Sequence, residues 1–101
     1  MKIVVNKCYG GFGVSEAVYK ELGMEWDGYG YLDNEDFGIE SDNYNAYRTN
    51  KKLIEAIERI GEKTASGAMA ELRVVEIPDG IEFDINNYDG IETVHENHRS
   101  W

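Results

Sequence analysis

A β-branched run that leads into glycines and then a helix-capping serine constrains the fold of this chain more than any other feature. The run predicts a strand over residues 2–7, and the glycines after it predict a tight loop (residues 8–15, the glycine loop). Ser15 is a suitable N-cap for a helix over residues 16–22, which Gly23 ends. The chain is therefore expected to begin with a strand, a loop and a helix.

A second helix is predicted between Asn50, which caps it, and Gly61, which ends it. Its apolar residues recur at helical spacing and form one face: Leu53, Ile54, Ile57 and Ile60. We expect this face, like that of the first helix, to pack on a sheet.

Three antiparallel strands are predicted after the second helix, over residues 72–77, 81–86 and 91–96. Pro78-Asp79-Gly80 matches a three-residue hairpin loop, and Asp89-Gly90 matches a two-residue turn that would place Asp84 opposite His95. With the first strand, this meander is expected to form a mixed sheet of about four strands, covered on one face by two helices. The predicted fold is an α+β two-layer sandwich in a single domain, residues 1–101.

The chain has 20 acidic and 10 basic residues, for a formal charge of −10. This excess argues against direct binding to nucleic acid, which needs clustered Lys and Arg, and it favours a partner with a basic surface. Net acidity also maintains solubility without any partner.

The N-terminus has only three consecutive apolar residues, far fewer than a signal peptide or a membrane span needs. A lone Cys8 permits no internal disulfide, as suits a reducing cytosol. We therefore expect a soluble cytoplasmic protein with no membrane contact.

The glycine loop is a candidate ligand site, because glycines let backbone N–H groups approach an anion beside a helix N-terminus. The residues expected to bind a nucleotide-like small molecule are Lys7, Tyr9, Gly10, Gly11, Phe12, Gly13 and Ser15. The dinucleotide fingerprint fails at Glu16, where its third glycine would stand, and no Gly-Lys-Ser/Thr follows the loop. A tight structural turn is the alternative interpretation.

Cys8 is a candidate nucleophile because it stands between a strand and a helix N-terminus, with His95 or His98 as its base. The C-x5-R phosphatase pattern fails at Val14. The same Cys and His residues are the candidates for zinc, but no CxxC or HExxH pair accompanies them. We expect no metal and no cofactor, and a small buried or half-buried thiol is the alternative for Cys8.

Residues 25–48, the acidic–aromatic segment, contain seven acids, six aromatics and a single base, Arg48. Interspersed glycines disfavour a helix or a long strand, so the segment predicts short strands and loops. Phe37 and Tyr44 exclude a calcium loop, since they occupy ligand positions of the EF-hand pattern. The segment instead predicts a partner-binding surface made of Trp26, Tyr29, Tyr31, Asp33, Glu35 and Asp36. A solvated loop whose aromatics pack inward is the alternative.

Several stretches at both ends of the chain are distinctive: residues 1–15, Ala65-Ser66-Gly67, Val75-Glu76-Ile77-Pro78-Asp79, Tyr88-Asp89-Gly90 and His98-Arg99-Ser100-Trp101. Through them the chain resembles a family of small bacteriophage and prophage proteins of uncharacterised function. Members of that family often have Asp-Pro where this chain has Asn50-Lys51. The resemblance implies a phage origin and the cytoplasm of an infected bacterium, and it assigns no catalytic residue.

We therefore expect a small acidic, non-enzymatic phage accessory protein that binds and inhibits a host protein, as anti-defence or anti-CRISPR proteins do. One alternative is a sponge that sequesters a nucleotide-derived immune signal in the glycine loop. Another is a small enzyme that uses Cys8.

Overall fold

The computed structural model describes residues 1–96 and 99–100 of the chain. Within these residues, the strands are β1 (Lys2–Asn6), β2 (Leu72–Glu76), β3 (Asp84–Tyr88), β4 (Ile91–Glu96) and β5 (Arg99–Ser100). The α-helices are α1 (Glu16–Leu22), α2 (Lys51–Ile60) and α3 (Glu62–Ala65), and 3-10 helices span Asn34–Phe37 and Ala46–Thr49. The predicted α+β class is confirmed.

The described strands form two antiparallel sheets instead of the predicted single mixed sheet of about four strands. In the first sheet β1 pairs with β2, and Val4 lies opposite Val74. In the second sheet β4 lies between β3 and β5. The chain thus places β2 beside β1 and not beside β3, which corrects the predicted meander.

Burial of β1 on both faces explains why two sheets form. Val4 packs into a core with α1 and α2, whereas Ile3 and Val5 pack with Val94 of β4. A strand that is covered on both faces has a continuous apolar run and not an alternating one, as residues 3–5 do. The molecule therefore has three layers, namely helices, first sheet and second sheet, where two layers were predicted.

Both main helices begin and end where the sequence predicts. Gly23 ends α1 in the left-handed conformation (φ 72°, ψ 27°), and Ser15 occupies the N-cap position. The Ser15 hydroxyl makes no capping hydrogen bond, and it is buried without a partner in the described part of the chain. Asn50 does cap α2, because its side chain accepts from the N–H groups of Lys52 and Leu53 at 3.0 and 3.3 Å.

The two-residue hairpin at Asp89-Gly90 is confirmed. Both turn residues have positive φ, 51° and 98°, as a type I′ turn requires. Asp84 lies opposite His95, which is the predicted register.

The turn at Pro78-Asp79-Gly80 joins the two sheets and is not a hairpin between neighbouring strands. Gly80 has the expected positive φ of 74°, but β3 begins only at Asp84. Residues 77–83 cross between the layers because their apolar side chains pack in the second core with Val94: Ile77, Ile81 and Phe83. Burial of these side chains decides the path of the chain here, and the turn residues only permit it.

The acidic–aromatic segment, which the structure describes completely, contains loops and 3-10 turns but no strand. The predicted loops are confirmed, and the predicted short strands are wrong. Asp33 and Asp36 form a capping box, since each carboxylate accepts from the N–H of the other, at 3.2 and 2.9 Å. Gly28 and Gly30 have φ of 87° and 90°, which interrupts any extended strand.

Candidate functional site

The glycine loop is packed against two other turns of the chain. A Cβ atom at Gly10 would lie 1.8 Å from the carbonyl oxygen of Met69, and one at Gly90 would lie 2.4 Å from that of Tyr9. No side chain fits at such distances, so glycine is required where these backbones meet.

The N–H groups at the helix end of the glycine loop bond to the chain itself. The N–H of Val14 donates to the carbonyl of Gly30 at 2.9 Å, and that of Ser15 donates to the carbonyl of Ala65 at 2.8 Å. The helix that follows, α1, has only seven residues. These donors are not directed at a bound anion, which favours the interpretation of the loop as a structural turn.

Two of the side chains predicted to bind a ligand, Lys7 and Phe12, instead contact residues of a buried ion pair between Arg48 and Glu92. Lys7 Nζ donates to the main-chain carbonyl of Glu92 at 2.8 Å. The Phe12 ring lies against the Arg48 guanidinium, whose Cζ is 3.5 Å from the ring centroid. Tyr9 is 70% exposed. The side chains predicted to bind a ligand therefore do not converge on one site, because Lys7 and Phe12 contact the ion pair while Tyr9 lies at the surface.

Arg48 and Glu92 form the buried ion pair, which the sequence analysis did not predict. Their side chains are 5% and 4% exposed, and Nη1 donates to Oε1 at 2.6 Å while Nη2 donates to Oε2 at 2.8 Å. Burial by itself lowers the pKa of Arg48, but hydrogen bonding to Glu92 and the attraction of Tyr47 and Glu92 raise this pKa above its usual value. The guanidinium therefore stays ionised, and the Glu92 carboxylate compensates its charge.

Asn6 connects this ion pair to the glycine loop. Its N–H donates to Glu92 Oε1 at 2.8 Å, and its Nδ2 donates to the carbonyls of Cys8 and Gly90 at 2.6 and 2.7 Å. Its Oδ1 accepts from the N–H of Glu71 at 2.8 Å. Because Asn6 is fully buried, these bonds satisfy its side chain and hold the loop and the hairpin turn together.

The sequence contains two signals for this buried centre. Arg48 is the single base of the acidic–aromatic segment, and Glu92 stands two residues before the buried Val94, on the same face of β4. A charged side chain on an inward face needs a partner of opposite charge. Neither signal identifies that partner, because 44 residues separate Arg48 from Glu92.

The structure separates Cys8 from His95. Asn6 Nδ2 bonds to both the Cys8 and Gly90 carbonyls, so Cys8 lies at the start of β4. His95 lies near the other end of that strand, about 17 Å along an extended chain, so a Cys8–His95 dyad does not form. His98 lies outside the described residues. Within residues 1–96 and 99–100, no group of at least three His, Cys, Asp or Glu side chains could hold a metal ion.

Asp27 fixes the loop that begins with it (residues 27–31, the tyrosine loop). Its carboxylate accepts from the N–H groups of Tyr29, Gly30 and Tyr31 at 2.7, 2.6 and 3.2 Å. These bonds, that from Gly30 foremost, lower the pKa of Asp27. The ionised carboxylate therefore stabilises one conformation of the loop.

Tyr29 and Tyr31 stack on each other at the surface. Their ring centroids are 5.8 Å apart, their planes differ by 9°, and the residues are 75% and 67% exposed. The buried Tyr19 holds this loop, because its hydroxyl donates to the Tyr31 carbonyl. Its ring also packs edge to face with Trp26, with the two ring centroids 5.0 Å apart. The three predicted aromatic anchors therefore lie close together, and Trp26 is 40% exposed.

The three predicted acids differ in their structural roles. All are exposed, but Asp33 and Asp36 also form the capping box of the first 3-10 helix. Other aromatics of the segment face inward: the ring centroids of Phe37 and the buried Tyr47 are 6.2 Å apart. Both interpretations of the segment thus hold in part, since some of its aromatics build the core and others lie at the surface.

The chain matches no protein-family model, and no curated protein or solved structure is significantly similar to it. Its function is therefore inferred from the geometry. In the described part of the chain, no helix has the length and apolar character needed to cross a membrane.

Proposed function

We propose that this protein is a non-enzymatic binding protein that docks on a basic surface of another protein through the tyrosine loop and thereby inhibits that partner. The observation that carries the proposal is the exposed, stacked Tyr29–Tyr31 pair on a loop that Asp27 fixes. Tyrosines are favoured anchors in interfaces, and a pre-formed loop loses little conformational entropy on binding.

The charge of the acidic–aromatic segment supports a basic partner. Its seven carboxylates are opposed within the segment only by Arg48, which Glu92 already neutralises in the interior. The whole chain has a formal charge of −10. Such a surface accelerates association with a basic protein and repels nucleic acid.

The proposed setting is the cytoplasm of an infected bacterium, as the resemblance to small phage proteins suggests. The partner would be a host protein whose function is blocked when the tyrosine loop covers its basic surface, in the manner of an anti-defence or anti-CRISPR protein. This mode of inhibition needs a stable contact and no chemical step by the phage protein.

The first experiment uses the purified chain as bait for bacterial cytosolic proteins, with capture quantified by mass spectrometry. Replacing both Tyr29 and Tyr31 by Ala should remove the captured partner. Tyr9→Ala is the matched control, because Tyr9 is similarly exposed but lies on the glycine loop. With the purified partner, either single change, Tyr29→Ala or Tyr31→Ala, should weaken binding at least about thirtyfold, which corresponds to about 2 kcal/mol.

Carboxylate variants separate steering from anchoring. Glu25→Gln, Glu35→Gln and Glu40→Gln together remove three exposed charges but leave the Asp33–Asp36 capping box intact. This triple variant should associate more slowly with the partner and show a weaker salt dependence, with little change in dissociation. Unchanged kinetics in both the tyrosine and the carboxylate variants would contradict the proposal.

A second candidate function, sequestration of a nucleotide-derived signal, is favoured by a cavity of about 300 Å³ beside the ion pair. Phe12, Tyr47 and Arg48 are among its lining residues. Arg48 Nε is buried and makes no hydrogen bond within the described residues, so a donor and two aromatic rings lie together there. A thermal-shift screen of nucleotides tests this function: binding that Phe12→Leu removes would support it, and no stabilisation by any nucleotide would exclude it.

A further inference from the structure

The outer edge of β3 is open in the part of the chain that the structure describes. β3 pairs with β4 on one side and with no strand on the other. In a two-residue hairpin, the residues that flank the turn form a hydrogen-bonded pair, and such pairs then alternate along the strands. Asp84, Asn86 and Tyr88 therefore bond to β4, whereas Ile85 and Asn87 direct their N–H and C=O groups to the open edge.

The residue just before β3 already accepts a hydrogen bond from another part of the chain on this side. Asn43 Nδ2 donates to the carbonyl of Phe83 at 3.0 Å, which shows that this side of the backbone accepts hydrogen bonds from outside the sheet. Further along the edge, no loop or turn among the described residues forms a backbone hydrogen bond with Ile85 or Asn87. Two residues of β3 therefore offer main-chain donors and acceptors to a partner.

An acidic groove of about 1070 Å³ adjoins the start of this edge. Its lining includes the exposed carboxylates of Asp42, Glu82 and Asp84 and the partly buried apolar side chains of Ile81 and Phe83. Among residues 1–96, no Lys or Arg lines the groove, and none forms an ion pair with these three carboxylates. The groove thus combines apolar side chains with several carboxylates, and His95 lies opposite one of them, Asp84.

We infer that the open edge of β3 and the acidic groove bind an extended segment of the partner that is rich in Lys or Arg and adds to the second sheet as a strand. This inference rests on the proposed function and names the part of the basic partner that is bound. Main-chain hydrogen bonds to Ile85 and Asn87 would supply affinity, and basic side chains opposite Asp84 and Glu82 would supply specificity.

The charge of the edge decides between a basic partner and a second copy of this chain. Two copies paired edge to edge would bring Glu82 and Asp84 together with their equivalents, on chains of formal charge −10 each. Charged side chains on an edge strand oppose self-pairing in this way. A segment with Lys or Arg at alternate positions has the complementary charge.

The tyrosine loop lies close to the same strand. Tyr31 lines the 300 Å³ cavity together with Ile85 and Asn87 of β3. A partner that places a strand on the edge of β3 would therefore reach the Tyr29–Tyr31 pair with neighbouring residues. The two surfaces are expected to act on one partner.

The probe for the test is a ten-residue peptide in which Lys alternates with Val and Thr, titrated into the ¹⁵N-labelled chain and followed by NMR. We expect chemical-shift changes at the amides of Ile85 and Asn87 and slower hydrogen exchange at both. A peptide with Glu in place of Lys should not bind. Two further peptides carry N-methyl groups at either the odd or the even residues, which keeps the charge but blocks the N–H groups on one edge of the peptide. One of the two should bind at least about tenfold more weakly, namely the one whose blocked edge would face β3.

Variants of Asn87 separate the main chain from the side chain. Asn87→Pro removes the outward N–H, whereas Asn87→Ala keeps it, and both lose the side-chain bond to the Gly90 N–H. Asn87→Pro should weaken peptide binding at least fivefold more than Asn87→Ala. Circular dichroism checks that each variant is folded. If Asn87→Pro does not fold, the N-methylated peptides with the unchanged protein test whether binding uses main-chain hydrogen bonds.

Three results would overturn the inference: equal binding of methylated and unmethylated peptides, shift changes that avoid β3, or a dimer of this chain through β3 in solution. Such failure is distinguishable from failure of the proposed function. If the peptide does not bind but Tyr29→Ala and Tyr31→Ala still weaken the captured partner, only the strand-addition inference is lost.

Discussion

The glycine loop and the tyrosine loop look alike in the sequence and differ in the structure. The first contains three glycines and the second two, aromatic residues stand next to them in both, and both sequences predict an irregular backbone. Each loop has one glycine whose missing side chain leaves room for another backbone: a Cβ at Gly10 would lie 1.8 Å from the Met69 carbonyl oxygen, and one at Gly30 would lie 2.2 Å from that of Val14. The space at Gly11 and Gly28 is open, so what differs between the loops is the exposed, stacked tyrosine pair that only the tyrosine loop carries. Glycine therefore indicates a special backbone conformation or a close approach, and the rest of the fold decides whether the chain or a partner uses it.

The two regions also differ in what their hydrogen bonds achieve. Around the glycine loop, Asn6 and Glu92 bond to segments that are distant in sequence, so this region holds the layers together. In the tyrosine loop, Asp27 accepts from the N–H groups of Tyr29, Gly30 and Tyr31, which are close in sequence, and two tyrosine rings stay exposed. Changes in the first region should reduce stability, and changes in the second should reduce binding.

The largest expected effect is at Glu92. Glu92→Ala leaves the buried Arg48 guanidinium without its counter-charge, so we expect the free energy of unfolding to fall by about 3–5 kcal/mol in chemical denaturation. The matched change in the other region, Tyr29→Ala, should alter it by less than about 0.5 kcal/mol, as exposed positions do. A loss below about 1 kcal/mol for Glu92→Ala would contradict the distinction between the regions.

A pair of glycines tests the role of close approach. Gly90 and Gly11 have nearly the same φ, 98° and 94°, but a Cβ at Gly90 meets the Tyr9 carbonyl at 2.4 Å whereas one at Gly11 meets nothing within 4 Å. Gly90→Ala should therefore destabilise the chain by about 1–3 kcal/mol more than Gly11→Ala in thermal unfolding. Equal losses would mean that backbone strain alone explains both glycines.

The conformation of the tyrosine loop should depend on the charge of Asp27. The folded-state pKa of Asp27 is lowered, so its contribution is complete above the unfolded pKa of about 3.9 and is lost as the pH falls through the lower folded value. An NMR titration should show the amides of Tyr29 and Gly30 shifting with this transition. Asp27→Asn should abolish the transition, and Asp42→Asn, which changes another exposed carboxylate, should leave it in place.

The smallest expected effect is at Ser15. An N-cap serine commonly contributes about 1 kcal/mol, but the Ser15 hydroxyl makes no capping bond and is buried without a partner among the described residues. Ser15→Ala should therefore change the free energy of unfolding by no more than about 0.5 kcal/mol. A loss of 1 kcal/mol or more would show that the hydroxyl does cap α1 in solution.

The sequence by itself determined the elements whose signals are local. Asn50 caps α2 through N–H groups two and three residues away, and Gly23 ends α1 directly after its last residue. The Asp89-Gly90 turn sets the register of β3 and β4 for the same reason, because two adjacent residues with positive φ fix which residues face each other. For the aromatics of residues 25–48 the sequence left surface and interior both open, and the structure exposes Tyr29 and Tyr31 but buries Tyr47.

Only the tertiary structure decided the sheet arrangement, the use of the glycines and the burial of charge. β1 pairs with β2 from the other half of the chain, and its second face is covered by β4, so that no single sheet collects all the strands. Arg48 meets Glu92 across 44 residues, and Gly10 meets Met69. A charged residue in an apolar stretch indicates that a counter-charge is needed, and a glycine indicates that another backbone could lie close. Which residue is the partner follows from which faces are buried together when the layers pack.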